Sequence, residues 1–347
     1  MTTMRAGLFH ENGGPEVIRI EEVPRPSPAA GEVLVRVAAC GLNHLDLWIR
    51  RGLPIDTRMP HIGGSDIAGT VVETGAGADR FSAGERVVVN PSLWCGACRE
   101  CLRGEQSLCE TFRITGEHTD GGFAEYVSVP AHNIYPIPDG FSFENAAALP
   151  ISYQTAWRAL IARAGVRAGE DVLVMGASGG TAVAAIQLAK LAGARVFAVT
   201  SGADKVRQVR ALGVDFVYDR DEVDFSDEVY RETRKRGVDV VVENVGEATW
   251  KKSVRALARG GRLVTYGATT GHRGDTDLRL LFWKQLQLIG TTMASVTEFE
   301  AMLASAFRRD FVPVIDAVFP LASLAEAHRH LEQGDQFGKV ILKIEDG

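Results

Sequence analysis

Four of the chain's five cysteines, Cys95, Cys98, Cys101 and Cys109, fall in one fifteen-residue stretch with CxxCxxCx7C spacing. Thiolates this close, with the turn residues Gly96 and Gly104 among them, suit a tetrahedral all-cysteine shell. That closed geometry belongs to a structural zinc, because it leaves no coordination position for water. Disulfides are the competing chemistry. The N-terminus does not resemble a secretory leader, so a cytoplasmic location is expected, and a reducing compartment disfavours disulfides.

A second set of residues suits a dinucleotide. The apolar segment Asp171 to Met175 runs into Gly176, Ala177, Ser178, Gly179, Gly180, Thr181 and Ala182, and then into an amphipathic segment, Ala184 to Leu191. Glycines between strand and helix let backbone approach a pyrophosphate, and the helix N-terminus offers free amides and a positive dipole end. About 20 residues on, an acidic side chain would hold the ribose hydroxyls of NAD. That place holds Thr200, then Ser201 and Gly202, with Lys205, Arg207 and Arg220 nearby. A neutral strand end with cations close by suits a 2′-phosphate, so NADP(H) is favoured over NAD(H).

Two kinds of element must position these groups. Up to about residue 150 the chain shows short alternating segments, Val33 to Val37, Thr70 to Glu73, Arg86 to Val89 and Tyr126 to Val129, separated by glycine and proline turns. This predicts an antiparallel, barrel-like domain. After Ala164 come apolar segments spaced by helix-length intervals: Asp171 to Met175, Arg195 to Val199, Asp215 to Val217, Val238 to Val242 and Arg262 to Thr265. That alternation predicts an α/β, doubly wound parallel sheet. Leu286 to Met293 is a further strand-like, almost uncharged segment, and an exposed edge of that kind predicts pairing with a second copy, as a homodimer or a tetramer.

The 347 residues are 46% hydrophobic and 24% charged, with no apolar run long enough to cross a bilayer. A formal charge of −6 argues against general nucleic-acid binding, which needs a basic face. A small-molecule substrate is therefore expected.

On these residues the chain resembles the medium-chain dehydrogenase/reductase superfamily, including zinc alcohol dehydrogenases and quinone oxidoreductases. Further matching segments are Gly64 to Gly75 (GSDIAGTVVETG), Gly84 to Val87, Gly121 to Tyr126 (GGFAEY), Ala146 to Trp157 and Phe337 to Ile344 (FGKVILKI). The resemblance implies a GroES-like, β-rich catalytic domain over residues 1–150 and 296–347, with a zinc lobe at 91–112. A Rossmann domain over residues 151–295 is inserted into it.

It also implies where a catalytic zinc would sit. The ligand cysteine of the zinc enzymes aligns with Asn43, the ligand histidine with Ser65, and the third ligand falls near Ile151. Cys40 lies three residues too early. Oxygen donors alone hold zinc weakly, so the active site is expected to be metal-free. Asn43 to Asp46, Gly64 to Asp66 and Gly176 to Gly180 are similar to the quinone oxidoreductase branch, although that branch usually lacks the cysteine lobe.

Without a Lewis acid, an unactivated ketone loses the metal's polarisation of its carbonyl. A conjugated acceptor delocalises the charge onto an oxygen that hydrogen-bond donors stabilise. Reduction of an activated C=C or quinone is therefore expected, with Asn43, His118 and Tyr153 as candidate donors. By resemblance, His44 and Lys339 would touch the cofactor pyrophosphate, and Thr155, Asn244, Gly267 and Met293 would approach the nicotinamide or its ribose. Asp46 and Asp66 read as structural hydrogen-bonders, and Trp48 as a pocket wall. The rival readings are two. One is an alcohol dehydrogenase, metal-free or with an unusual site from His44, His61, Asp66 or His118. The other is an NADPH-binding protein without turnover, crystallin-like or sensory.

Overall fold

A computed structural model describes residues 2–53 and 57–344. The chain divides into two compact units, Met1–Ile151 with Ser295–Gly347, and Ser152–Ala294.

The first unit is built on a seven-strand sheet. Its order is Ile315–Pro320, Lys339–Lys343, Glu32–Gly41, Asp66–Thr74, Arg86–Val89 and Ile134–Pro136, with Tyr126–Pro130 also pairing with Glu32–Gly41. The alternating segments are therefore strands, and all but Arg86–Val89 run longer than their local pattern. Inward residues such as Val33, Val35, Val37, Ile67, Val71, Val87, Val89 and Val127 form one core. Burying each of these valines favours folding by about 1.5–3 kcal/mol. Two pairings position the site. Glu32–Gly41 runs antiparallel to Asp66–Thr74, with Gly41 opposite Asp66. It also runs antiparallel to the C-terminal strand, with Gly41 opposite Ile341.

The second unit is a six-strand sheet with every adjacent pair parallel. Its order is Phe216–Asp219, Arg195–Thr200, Asp171–Val174, Val238–Glu243, Leu257–Thr265 and Gln287–Gly290. The first of these strands in sequence, Asp171–Val174, lies mid-sheet beside the fourth, Val238–Glu243. The strand order reverses there, and in doubly wound sheets that is where ligands bind. The predicted helix starts earlier than its apolar pattern, at Gly180, and ends at Leu191 as expected. The segment read as Leu286 to Met293 is a strand only over Gln287–Gly290, and Met293 has left-handed backbone with φ +50°. Among the described residues no helix is long and apolar enough to cross a membrane.

Candidate active site, nucleotide cradle and cysteine cluster

The four cysteines converge as their spacing predicts: their Sγ atoms all lie within 4.8 Å of one another. The Cys98 amide donates to Cys95 Sγ at 3.2 Å, and the Cys95 amide donates to Cys109 Sγ at 3.3 Å. Burial pushes the Cys101 thiol up to about 12. Cys109 is also raised by burial, but donors from Cys95 and Thr111 outweigh that and bring it down to about 6. Thiols are the softest donors a protein offers, and four of them in tetrahedral reach fit a structural zinc. Among the described residues this is the one group of three or more His, Cys, Asp or Glu side chains placed to share an ion.

The glycine turn has room for a dinucleotide. Gly176 has φ +60°, and a Cβ there would come within 2.9 Å of Asn244 Oδ1. Gly179 caps the helix N-terminus, and a Cβ on it would meet nothing closer than Gly176 O at 3.6 Å. Val183 donates to Gly179 O at 2.8 Å, so the amides of Gly180, Thr181 and Ala182 stand ahead of the helical ladder. Asn244 follows Val238–Glu243, and its Oδ1 is buried without a hydrogen-bond donor. Gly267 follows the next strand, where a Cβ would meet Asn244 O at 3.3 Å. The buried Glu243 carboxylate anchors this loop by accepting from the amides of Val245 and Gly246 and from Thr249 and Ser253. An orphaned acceptor beside a side-chain-free turn fits a bound nicotinamide dinucleotide. Ser178 and Thr181 line the same turn, and Thr155 and Met293 are buried in this unit.

At the end of Arg195–Thr200, Thr200 is buried, and it pairs in register with Asp219. Asp219 accepts from the Gly202 amide at 2.9 Å and from the Asp221 amide at 3.0 Å. Sequence spacing along the second strand missed this carboxylate because it arrives from the neighbouring strand. The expected cations are partly engaged: Arg207 pairs with Asp204, and Arg220 lies 3.8 Å from Asp221. Lys205 is half-buried, and Ser201 follows Thr200 at the strand end.

Of the positions that resemblance assigns to a catalytic zinc, Asn43, Ser65 and Ile151, Asn43 joins a network with Asp66 and Lys339 in the first unit. Asn43, Asp66 and Lys339 are all buried. Lys339 Nζ donates to Leu42 O at 2.8 Å, Asn43 Oδ1 at 2.7 Å and Asp66 Oδ2 at 2.8 Å. Asn43 Nδ2 donates to Asp66 Oδ2 at 3.0 Å, and the Ile151 amide donates to Asp66 Oδ1 at 2.8 Å. Below them Asp46 accepts from the Asn43 amide at 2.7 Å and from the Gly64 amide at 3.2 Å. Burial pushes the Asp46 carboxyl up to about 7 against those two amides, with Asp66 adding to the rise. His44, half-buried beside Trp48, is held below its ordinary value by burial, with Lys339 and Arg51 adding to the effect. Ser65 is buried with its hydroxyl unpaired, and Ile151 offers no ligand atom. Asn43 and Ser65 offer that set only neutral oxygen donors, and the Lys339 ammonium already contacts Asn43 Oδ1 and the adjacent Asp66 Oδ2, so these residues do not fit a zinc dication.

His118 sits on a turn locked to the same region. Gly122 donates to Gly64 O at 2.7 Å, and a Cβ at Gly116 would fall 2.6 Å from Gly64 O. The Ile114 amide donates to His118 Nδ1 at 3.2 Å, which places the neutral ring's proton on Nε2. Burial, aided by Arg113, lowers its pKa. His118 lines a groove of about 680 Å³ with His61, Leu93, Arg113 and Thr115.

Two expectations are corrected. Tyr153 is 1% exposed and its hydroxyl donates to Gln187 Oε1 at 2.6 Å, so it packs within the second unit. Lys339 has its three N–H groups engaged by protein acceptors and has none left for a pyrophosphate. Sequence reading assigned Asn43 and Lys339 separately and missed their union through Asp66. The one local signal was a lysine heading the strand Lys339–Lys343, directly before the apolar run Val340, Ile341 and Leu342.

The chain matches the alcohol dehydrogenase GroES-like domain family over residues 29–139 and the zinc-binding dehydrogenase family over residues 180–308. It is 31% identical over 355 residues to quinone oxidoreductase of Homo sapiens, with 98% of each chain covered. It is likewise 31% identical over 325 residues to acryloyl-coenzyme A reductase of Metallosphaera sedula, covering 93% of this chain and 95% of that one. A solved NAD-dependent alcohol dehydrogenase superposes with a TM-score of 0.95 at 42% identity, covering 99% of this chain and all of that one. Two family matches in the expected order, relatives aligned over nearly the full length and the pair of folds described above lead to one conclusion: the chain belongs to the medium-chain dehydrogenase/reductase superfamily and is an oxidoreductase.

Proposed function

We propose that this enzyme uses NADPH to reduce an activated C=C bond or a quinone in an active site without a catalytic metal. The observation that supports the reading is the network in which Asn43, at the position aligned with the zinc enzymes' ligand cysteine, is tied to Asp66 and Lys339. An amide and an imidazole N–H can stabilise a delocalised enolate or hydroquinone oxygen. They replace a Lewis acid poorly on an unactivated ketone.

When bound, a nicotinamide would supply the hydride for the β-carbon of an enone or enoyl thioester, leaving negative charge for the carbonyl oxygen to carry. The chain's own groups serve that oxygen, and water supplies the proton that completes the reduction at the α-carbon. Asn43 Nδ2 and His118 Nε2 are the donors. The lowered pKa of His118 keeps the ring neutral near pH 7, which suits hydrogen bonding to the oxygen more than outright proton transfer. Gly176, Ser178, Gly179, Gly180 and Thr181 would hold the pyrophosphate, and Asn244 and Gly267 the nicotinamide half. Thr200, Ser201, Lys205 and Arg220 would receive the 2′-phosphate. Cys95, Cys98, Cys101 and Cys109 hold one structural zinc. The enzyme acts as a cytoplasmic homodimer, and five free cysteines suit a reducing compartment.

The deciding experiment follows NADPH consumption with enones, enoyl thioesters, quinones and aldehydes, with and without chelator. Chelator-insensitive reduction of conjugated acceptors, with deuterium from labelled NADPH at the β-carbon, is the expected result. A second reading, alcohol dehydrogenase, is favoured by the similarity to the NAD-dependent alcohol dehydrogenase. Chelator-sensitive aldehyde reduction is its signature.

A further inference from the structure

We infer that Lys339 and Asp66 act together as positioning residues that lock the side-chain amide of Asn43 in a single orientation, with one N–H left free for the substrate oxygen. This rests on the reading of Asn43 as a donor to that oxygen.

An asparagine amide has an acceptor end and a donor end of nearly the same shape, so its orientation is set by its neighbours. Lys339 carries only donors, and it contacts Asn43 Oδ1 at 2.7 Å. An ionised Asp66 offers only acceptors, and it receives Asn43 Nδ2 at 3.0 Å. Rotating the amide by half a turn would set N–H against ammonium and C=O against carboxylate, two repulsions in a buried setting where Lys339 is 3% and Asp66 0% exposed. One orientation is therefore allowed.

The lock is itself held. Lys339 also donates to Leu42 O, the residue before Asn43, and Asp66 accepts from the Ile151 amide through its other oxygen. The Asn43 backbone amide is fastened to Asp46. Asp66 receives one hydrogen of Nδ2, and among the described residues no acceptor receives the other. A preorganised donor costs no reorientation when charge develops on the substrate, which is the condition under which such a group accelerates a reaction. Zinc in the related enzymes presents a cation directly to the oxygen. Here the ammonium works through an amide.

The test combines spectroscopy and a kinetic cycle. In protein labelled with ¹⁵N-asparagine, the Asn43 carboxamide, assigned by its loss in Asn43→Ala, should give one pair of slowly exchanging proton signals. In Asp66→Asn the pair should broaden or split as both orientations become populated. Unchanged signals in both Asp66→Asn and Lys339→Met would overturn the proposal. Should Lys339→Met fail to fold, Lys339→Met/Asp66→Asn removes both charges and serves in its place. With NADPH and 3-buten-2-one as the probe, Asp66→Asn should lower turnover roughly tenfold or more in the wild-type background. It should lower it by less than about twofold in Asn43→Ala, since a residue acting through another shows no effect once that other is gone. Equal effects in both backgrounds would assign Asp66 a separate role and overturn the proposal. If Asn43→Ala alone leaves turnover intact, the donor reading of Asn43 fails, and the carboxamide signals still decide the orientation.

Discussion

Thr200 and Asp219 are register partners at the carboxyl ends of adjacent parallel strands. The Asp219 carboxylate faces the turn through the Gly202 amide. A 2′-phosphate bound beside Thr200 therefore has an acid in its vicinity, one tied by two backbone amides. Thr200→Asp should shift selectivity toward NADH by adding a carboxylate that repels the phosphate and accepts from the ribose hydroxyls. The ratio of kcat/KM for the two cofactors measures it. A wild type that prefers NADH tenfold, about 1.4 kcal/mol, removes the NADPH reading.

The cysteine cluster should bind about one zinc per chain, the content of a single closed site. Cys101→Ser should lose that zinc and lower the melting temperature, since metal binding and folding of the ligand loop are coupled. Elemental analysis beside calorimetry checks both. About two zincs per chain would contradict the metal-free active site.

His118→Gln should lower turnover roughly 10²-fold and leave the KM for NADPH nearly unchanged. The bond from Ile114 to Nδ1 requires the neutral ring. Turnover should therefore be level at and above neutral pH and fall only on acidification below the ordinary histidine value of 6.5. Equal turnover in wild type and variant, at matched melting temperature, returns His118 to the surface-loop residues.

Asp46 gives the fold a pH dependence of its own. Its carboxyl is raised from 3.8 to about 7 in the folded state, chiefly by burial. Between those values the folded protein holds a proton that the unfolded chain releases, so this group's contribution to stability falls as pH rises. Asp46→Asn should flatten the melting temperature across that window while lowering it at every pH, because an amide accepts with one oxygen where the carboxylate has two. An unchanged slope would place the titration elsewhere.

The edge strand Gln287–Gly290 pairs with Leu257–Thr265 on one side, and just before it in sequence Leu278, Phe282 and Trp283 are exposed at 68%, 67% and 66%. Light scattering at micromolar concentration should give a dimer, and Trp283→Asp should shift it toward monomer. A wild-type monomer refutes the pairing.

Much of the fold was legible because strands buried on both faces are continuous apolar runs, as at Asp171–Val174 and Arg195–Thr200. Leu257–Thr265 was read only from Arg262, since Arg259, Gly260 and Gly261 break its pattern and the register shifts in its pairing with Val238–Glu243. The cysteine cluster and glycine turn were legible because their members are neighbours in sequence. The union of Asn43 with Lys339 was not, because a contact across 296 positions is made by strand pairing, which leaves no local period to read.

That separation also has a meaning for biosynthesis. Asn43 and Asp66 are made early, whereas Lys339 emerges 273 positions after Asp66, on the last strand of its sheet. Among the described residues Lys339 is the one cation paired with Asp66, and its strand is the one between Glu32–Gly41 and Ile315–Pro320 in the GroES-like sheet. The parallel sheet has all six of its strands by residue 290. Translation therefore supplies every strand of the parallel sheet before the last strand of the GroES-like sheet, and a chain that stops before Lys339 lacks the partner that ties Asn43 to Asp66.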